Sequence, residues 1–185
     1  LHVRSRRQRQ MCIRDRSYEK LEGFYPLPKG LAGSWILSIQ GLTGVYSPFT
    51  VEANYNKEMT GYNQPFTMCH ELAHLKGFMQ EEEANMIGFL ACEQSEEPEF
   101  RYSSAMMGWI YCGNELYDRD KEKYQSLSER LPKEAHKDLE ANSRFWDEHE
   151  GIISEASEKV NDAYLKANRQ EAGVESYDQV ADLIV

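Results

Sequence analysis

The sequence has no apolar run long enough to cross a membrane. Its most apolar stretch, around residues 104–112, is far shorter than the roughly 18 residues of a membrane-spanning helix. Cysteine is also scarce, with four residues and no C-x-x-C pair. Cys12 is near the start of the chain, and three others lie in apolar helical patterns: Cys69, Cys92 and Cys112. We expect these three to be buried free thiols, with a Cys92–Cys112 disulfide as the alternative.

Basic residues are outnumbered by acidic ones. The chain has 21 lysines and arginines against 31 aspartates and glutamates, which gives a net charge of -10. Because phosphate backbones repel an acidic protein, nucleic acid is a poor candidate partner. The 185 residues are enough for one domain with a hydrophobic core and too few for two ordinary domains.

The N-terminal segment differs in charge from the rest of the chain. Residues 1–16 contain six arginines and one acid, and the segment from Arg9 to Arg16 resembles a translated adaptor sequence. We therefore expect residues 1–16 to be a disordered or artefactual basic segment, with a targeting or amphipathic arm as the alternative. Residues 17–185 are then predicted to form a single domain, a fragment of a longer protein with its true N-terminus upstream.

The pattern of apolar residues predicts an α+β domain that is predominantly helical. Residues 35–39 fit a strand or a short helix, and alternation over residues 45–56 predicts a half-buried strand. Because proline cannot donate a ladder hydrogen bond, either this strand lies at a sheet edge or Pro48 is at its start. Helices are predicted over residues 65–76, 80–94, 100–117, 151–169 and 175–184, with another after Pro132 in a charged segment.

The most informative motif is H-E-x-x-H at residues 70–74. On a helix, His70 and His74 are one turn apart and project from the same face. Two imidazole nitrogens can therefore bind one Zn²⁺ ion. Glu71 follows the first ligand, where it can accept a proton from a metal-activated water. The alternative is a pair of surface histidines on an ordinary helix.

A third metal ligand has to come from outside this motif. A histidine at position 80 would complete a metzincin pattern, but that residue is Gln80. Three glutamates follow at residues 81–83, and their different directions on a helix leave only one able to reach the metal. Gly77 suits a left-handed stop at the end of the motif helix. A sharp turn there favours Glu81, with Glu83 as the alternative. The spacing from Glu81 to Asn85 resembles the glutamate-helix motif of gluzincins, in which Asn85 would support a histidine.

Two histidines and one glutamate form the ligand set of thermolysin-type catalytic sites, which keep one position open for water. The predicted reaction is the attack of water on a polarised carbonyl group. Glu71 would take the proton of the water and pass it to the leaving amine. The sequence thus predicts a zinc metallopeptidase with one Zn²⁺ per chain and a peptide or protein substrate.

Several segments resemble a bacterial family, domain of unknown function 3810. They are residues 44–54, 65–77, 81–85, 101–103, 161–168 and 173–177, so the likeness spans roughly residues 20–185. The family's members are regarded as gluzincin-like zinc peptidases, so the resemblance implies a zincin-like (gluzincin-type) metallopeptidase domain with a short edge strand before the active-site helix. Members usually carry transmembrane helices upstream, so the resemblance also implies that the full-length protein is anchored to a membrane.

Two further parts of the active site are expected. The predicted edge strand would bind an extended substrate through backbone hydrogen bonds, at Val51, Glu52, Ala53 and Asn54. The resemblance offers three tyrosines as oxyanion donors, namely Tyr102, Tyr164 and Tyr177. The alternatives are an ordinary strand and packed tyrosines. His136 and His149 lie in charged helical patterns and are expected at the surface.

Two other functions fit the same residues. One is a non-catalytic zinc-binding domain that serves regulation or protein interaction. The other is a helical scaffold without metal, in which the histidine pair is accidental. Glu71 favours catalysis, because a structural zinc site has no need of a general base.

Overall fold

The computed structural model describes residue 21 and residues 23–150. The basic segment at residues 1–16, the helices predicted at 151–169 and 175–184, Tyr164 and Tyr177 all lie outside the described residues. The described elements are β1 (Lys29–Gly30), α1 (Ser34–Ile39), β2 (Gly44–Ser47), β3 (Glu52–Tyr55), α2 (Asn63–Leu75), α3 (Glu81–Glu93), α4 (Pro98–Arg119), α5 (Lys121–Ser128) and α6 (Lys133–Glu150). This part of the chain is mostly helical with a small sheet, which confirms the α+β prediction.

The strand predicted over residues 45–56 is in fact a hairpin of two strands. β2 pairs antiparallel with one side of β3 and β1 pairs in parallel with the other, so the order is β1-β3-β2. In the turn between β2 and β3, the amide and the hydroxyl of Thr50 both donate to Ser47 Oγ. Val51 has a left-handed φ of 53°, which a β-branched residue rarely adopts. The prediction of one edge strand was wrong, because β3 is central and β2 forms an edge.

The end of α2 follows the predicted pattern. Gly77 has a φ of 88°, and its amide donates to the carbonyl of His74 at 2.9 Å. The amide of Phe78 donates to the carbonyl of Ala73 at 3.2 Å. These two bonds form a Schellman motif, which glycine favours because it has no side chain to oppose a positive φ. The chain turns sharply here, and α3 begins at Glu81.

The main hydrophobic cluster lies where α2, α3 and α4 meet. It includes Phe66, Cys69 and Leu72 of α2, Ala91 and Cys92 of α3, Phe100 of α4, and also Tyr25 and Ala53. Cys69 and Cys92 are free and buried, and Cys112 is free and half-buried. The prediction of free thiols is therefore confirmed, although Cys112 is not fully buried. None of the helices in the described range combines the length and the apolar character that a membrane span needs.

Candidate metal centre

The two histidines of the motif lie on one face of α2 and point toward each other. Their exposed fractions are 7% for His70 and 8% for His74, which contradicts the surface-histidine alternative. The two Nε2 atoms are 2.9 Å apart, and the ring planes are nearly perpendicular at 88°. The spacing of one helical turn brings the rings together.

A carboxylate from α3 completes this cluster. Glu81 is buried, with Oε2 at 3.2 Å from His70 Nε2 and Oε1 at 3.4 Å from His74 Nε2. It is the first residue of α3, which the turn at Gly77 brings back toward α2. Glu83 is exposed. The structure therefore brings Glu81 to the histidine pair and leaves the alternative acid in solvent.

The separations of the three donors suit a tetrahedral metal ion. Bonds of about 2.0–2.1 Å at tetrahedral angles place ligand atoms about 3.3 Å apart. The two His–Glu separations match this value and the His–His separation is slightly shorter. His74 Nδ1 lies 2.8 Å from the carbonyl oxygen of Phe78, so a proton on Nδ1 leaves Nε2 free as a ligand.

Two buried nitrogens near the cluster have no hydrogen-bond partner among the described residues. They are His70 Nδ1 and Asn85 Nδ2. Asn85 is on α3, one turn after Glu81, and is buried. Unpaired polar atoms in a protein interior lower the stability of the folded state. A cluster that served only to stabilise the core would therefore be unfavourable here. Support of a histidine by Asn85 stays a prediction.

Glu71 lies beside the cluster, against the edge strand β2. Its side chain is buried, and a Cβ built on Gly44 would be 2.5 Å from Glu71 Oε1 and 2.9 Å from the carbonyl oxygen of Asn54. Only glycine leaves room for this approach. Burial raises the pKa of Glu71 to about 7, although the nearby His70 and His74 lower it and the charge of Glu81 raises it.

The other ionisable groups of the cluster stabilise one another. Burial alone would raise the pKa of Glu81, but hydrogen bonds from His70 and His74 outweigh burial and hold that pKa well below its usual range. Burial alone would lower the pKa of His74, but the hydrogen bond to Glu81 and the charge of Glu71 raise it. The metal-free cluster is therefore held together by a buried carboxylate between two imidazoles.

The predicted oxyanion donor forms a hydrogen bond to α6. Tyr102 is 38% exposed, and its hydroxyl donates to Asp138 Oδ2 of α6 at 2.6 Å. Partial burial and the bond to Asp138 raise the pKa of Tyr102 to about 12. In this structure the hydroxyl is therefore paired with α6, and a role for Tyr102 as oxyanion donor stays a prediction.

The predicted substrate strand also needs correction. Val51 lies in the hairpin turn, and Glu52, Ala53 and Asn54 belong to the central strand β3. Asn54 pairs with Lys29 on one side and Val45 on the other, so its sheet edges are occupied. The edge beside Glu71 belongs to β2 instead. Gly44 is the residue that sequence reasoning missed; a glycine at the start of a strand is a signal of close approach by another group.

Comparison with known proteins identifies the family. The chain belongs to the family described as "Protein of unknown function (DUF3810)", whose profile matches residues 2–185. No curated protein matches the chain, and no solved structure matches it.

Proposed function

We propose that this protein is a zinc-dependent metallopeptidase. His70, His74 and Glu81 would hold one Zn²⁺, and Glu71 would act as general base. The observation that carries the proposal is the convergence of three buried side chains whose ligand atoms all lie within 4.8 Å of one another, next to a second buried acid, Glu71. Such burial of ionisable groups is costly unless they are paired or bind a ligand, and it is typical of functional sites.

Zn²⁺ held by two imidazoles and one carboxylate supplies a Lewis acid that polarises a carbonyl group and lowers the pKa of a water ligand. The chain's own residues would do the rest. Glu71, held against Gly44, would take the proton of the attacking water and return it to the leaving amine. His74 Nδ1 lies at hydrogen-bond distance from the carbonyl oxygen of Phe78, and this contact would leave Nε2 available to hold the ion.

The rival functions explain less of the geometry. A structural zinc site is usually closed by four protein ligands, whereas the group found among the described residues has three. A metal-free scaffold gives no role to a buried carboxyl directly after the first histidine. Two results would favour these rivals. Zinc binding without peptide cleavage would favour a regulatory or protein-interaction zinc domain, and a lack of zinc binding would favour a scaffold without metal.

The family resemblance supports two wider parts of this proposal. We propose a zincin-like (gluzincin-type) fold, in which α2 is the active-site helix and α3 supplies the glutamate ligand. We also propose that the full-length protein is bacterial and is anchored to a membrane by a segment outside this chain. Membrane fractionation of the full-length protein tests the second part, which recovery in the soluble fraction would contradict.

The test of the proposed reaction compares three zinc-loaded proteins on a peptide library: wild type, Glu71→Gln and Glu83→Gln. Glu83 is a matched acid that is exposed. Loss of a general base lowers the rate about 10²–10⁴-fold, so Glu71→Gln should lose that much activity and keep its zinc. Glu83→Gln should cleave like wild type. Full activity in Glu71→Gln would remove the mechanism, and zinc binding without any cleavage by wild type would favour the regulatory domain.

A further inference from the structure

The first turn of α2 contains a side chain that belongs to α4. Ser103 has no exposed surface. The amide of Phe66 donates to Ser103 Oγ at 3.0 Å, and the Ser103 hydroxyl donates to the carbonyl oxygen of Tyr62. In a regular α-helix the amide of residue 66 bonds directly to the carbonyl of residue 62. The hydroxyl of Ser103 therefore bridges two groups that a regular turn joins.

Other helices of the described chain close their first turn without such help. In α3 the amide of Ala84 donates to the carbonyl of Gln80 at 2.9 Å. In α5 the amide of Tyr124 donates to the carbonyl of Asp120 at 3.0 Å. A side chain that inserts into this ladder changes the local path of a helix. The course of α2 just before the motif thus depends on Ser103.

Phe66, whose amide bonds to Ser103, also contacts the first histidine of the motif. Phe66 lies one turn before His70, and their rings are stacked with centroids 6.3 Å apart and planes inclined by 29°. His74 is oriented by a hydrogen bond from Nδ1 to the carbonyl of Phe78. His70 Nδ1 has no such partner among the described residues. The Nε2 atom of His70 contacts Glu81 and His74. The ring itself packs against Phe66, whereas the ring of His74 has the hydrogen bond from Nδ1.

We propose that Ser103 is a positioning residue for the histidine cluster. It fixes the backbone of Phe66, and the ring of Phe66 then fixes the imidazole of His70. The metal-binding consequence rests on the proposed function, but the orientation of His70 in the metal-free protein does not. The two consequences can therefore be tested separately.

The chain offers a matched control in the neighbouring residue. Ser104 is also buried, and its hydroxyl donates to the carbonyl of Phe89 at 3.0 Å. Each of the variants Ser103→Ala and Ser104→Ala removes one buried hydroxyl from α4. A general loss of stability should be similar in both, whereas an effect on His70 should be confined to Ser103→Ala.

The experiment measures two properties of wild type and both variants. The first is Co²⁺ affinity, with the visible absorption spectrum of the bound Co²⁺. The second is the set of imidazole nitrogen and proton chemical shifts of the metal-free protein at one pH. Removal of an outer-shell partner weakens metal binding about 10–100-fold, so Ser103→Ala should weaken Co²⁺ binding about 10-fold and alter its spectrum. It should also shift the His70 signals more than the His74 signals, and Ser104→Ala should do neither.

A second variant keeps the proposal testable if Ser103→Ala does not fold. Phe66→Leu keeps the amide that bonds to Ser103 and removes the ring that stacks on His70, so it should reproduce the effects on Co²⁺ and on the His70 signals. If Ser103→Ala and Phe66→Leu match Ser104→Ala in both measurements, the positioning role is wrong. If wild type binds no Co²⁺, the proposed function fails, and the imidazole signals still decide the role of Ser103.

Discussion

Helices α2 and α3 bury several of their polar side chains, whereas the polar side chains of α5 and α6 lie near solvent. The first pair of helices buries His70, Glu71, His74, Glu81 and Asn85. In the described chain, α5 buries none of its residues, and Ala135 is a buried residue of α6. Both pairs are rich in ionisable residues, so composition does not separate them. Buried charge destabilises a fold unless it is paired or bound, so the difference supports the proposal that α2 and α3 carry the function.

The histidines show the same contrast. In α6, His136 Nε2 lies 3.0 Å from the carbonyl of Ser128 and His149 Nδ1 lies 2.7 Å from the carbonyl of Phe145. Both of these residues are half-buried, where a surface position was expected. Each of them uses a ring nitrogen to satisfy a backbone group. In α2, the Nε2 atoms of His70 and His74 face each other and a carboxylate, as the proposed metal site requires.

The largest expected effect that separates the two regions is stabilisation by zinc. A ligand at about 1,000 times its Kd adds about 4 kcal/mol to the free energy of unfolding of the protein that binds it. Urea denaturation with and without zinc should show this increase for wild type and for His136→Ala. It should be absent for His74→Ala, which lacks one ligand. Equal stabilisation of both variants would mean that zinc binds elsewhere.

A smaller effect is expected from filling the space between β2 and Glu71. In Gly44→Ala the new methyl group would meet Glu71 Oε1 and the backbone of Asn54, and overpacking of this kind destabilises by about 1–3 kcal/mol. The control is Gly61→Ala, where no atom lies within 4 Å of the added Cβ and the change should stay within about 0.5 kcal/mol. Chemical denaturation measures both. Equal stability of the two variants would contradict the close approach of β2 to Glu71.

The smallest effect is expected where α6 is attached to α2. Asn142 Oδ1 accepts hydrogen bonds from Asn63 Nδ2 at 2.6 Å and Thr60 Oγ1 at 3.2 Å, at a half-buried position that water can reach. Asn142→Ala should therefore lower the free energy of unfolding by about 1 kcal/mol and leave zinc affinity unchanged. Ser143→Ala, at the exposed neighbouring position, should alter neither property. Loss of zinc binding in Asn142→Ala would show that the two regions are not independent.

The parts of the site that could be predicted from the sequence are local. The motif spacing gave His70 and His74 a shared face, and a glycine at position 77 indicated the turn that returns Glu81 to them. The direction of three successive glutamates on a helix then left one acid able to reach the pair. Each of these inferences connects residues that lie within about four helical turns of one another in the sequence. Over such a distance, helix geometry largely determines which side chains are neighbours.

The parts that were missed depend on distant or unusual contacts. The hairpin turn uses Val51 at a positive φ, which no rule of turn composition indicates. Ser103 reaches Phe66 across 37 residues of chain, and Tyr102 turned out to bond to Asp138 of α6. Such contacts depend on how the helices pack, and a hydrophobic pattern identifies the buried face of a helix without naming its partner.

The most direct test of the central claim is the zinc content of the purified, zinc-supplemented protein, measured by elemental analysis for wild type, Glu81→Ala and Glu83→Ala. Glu81 faces both histidines and Glu83 is exposed, so the two variants remove the same group from a buried and an exposed position. We expect one zinc per chain in wild type and in Glu83→Ala, and its loss in Glu81→Ala. A wild-type protein without zinc, or a Glu81→Ala protein that retains it with unchanged affinity, would contradict the proposed site.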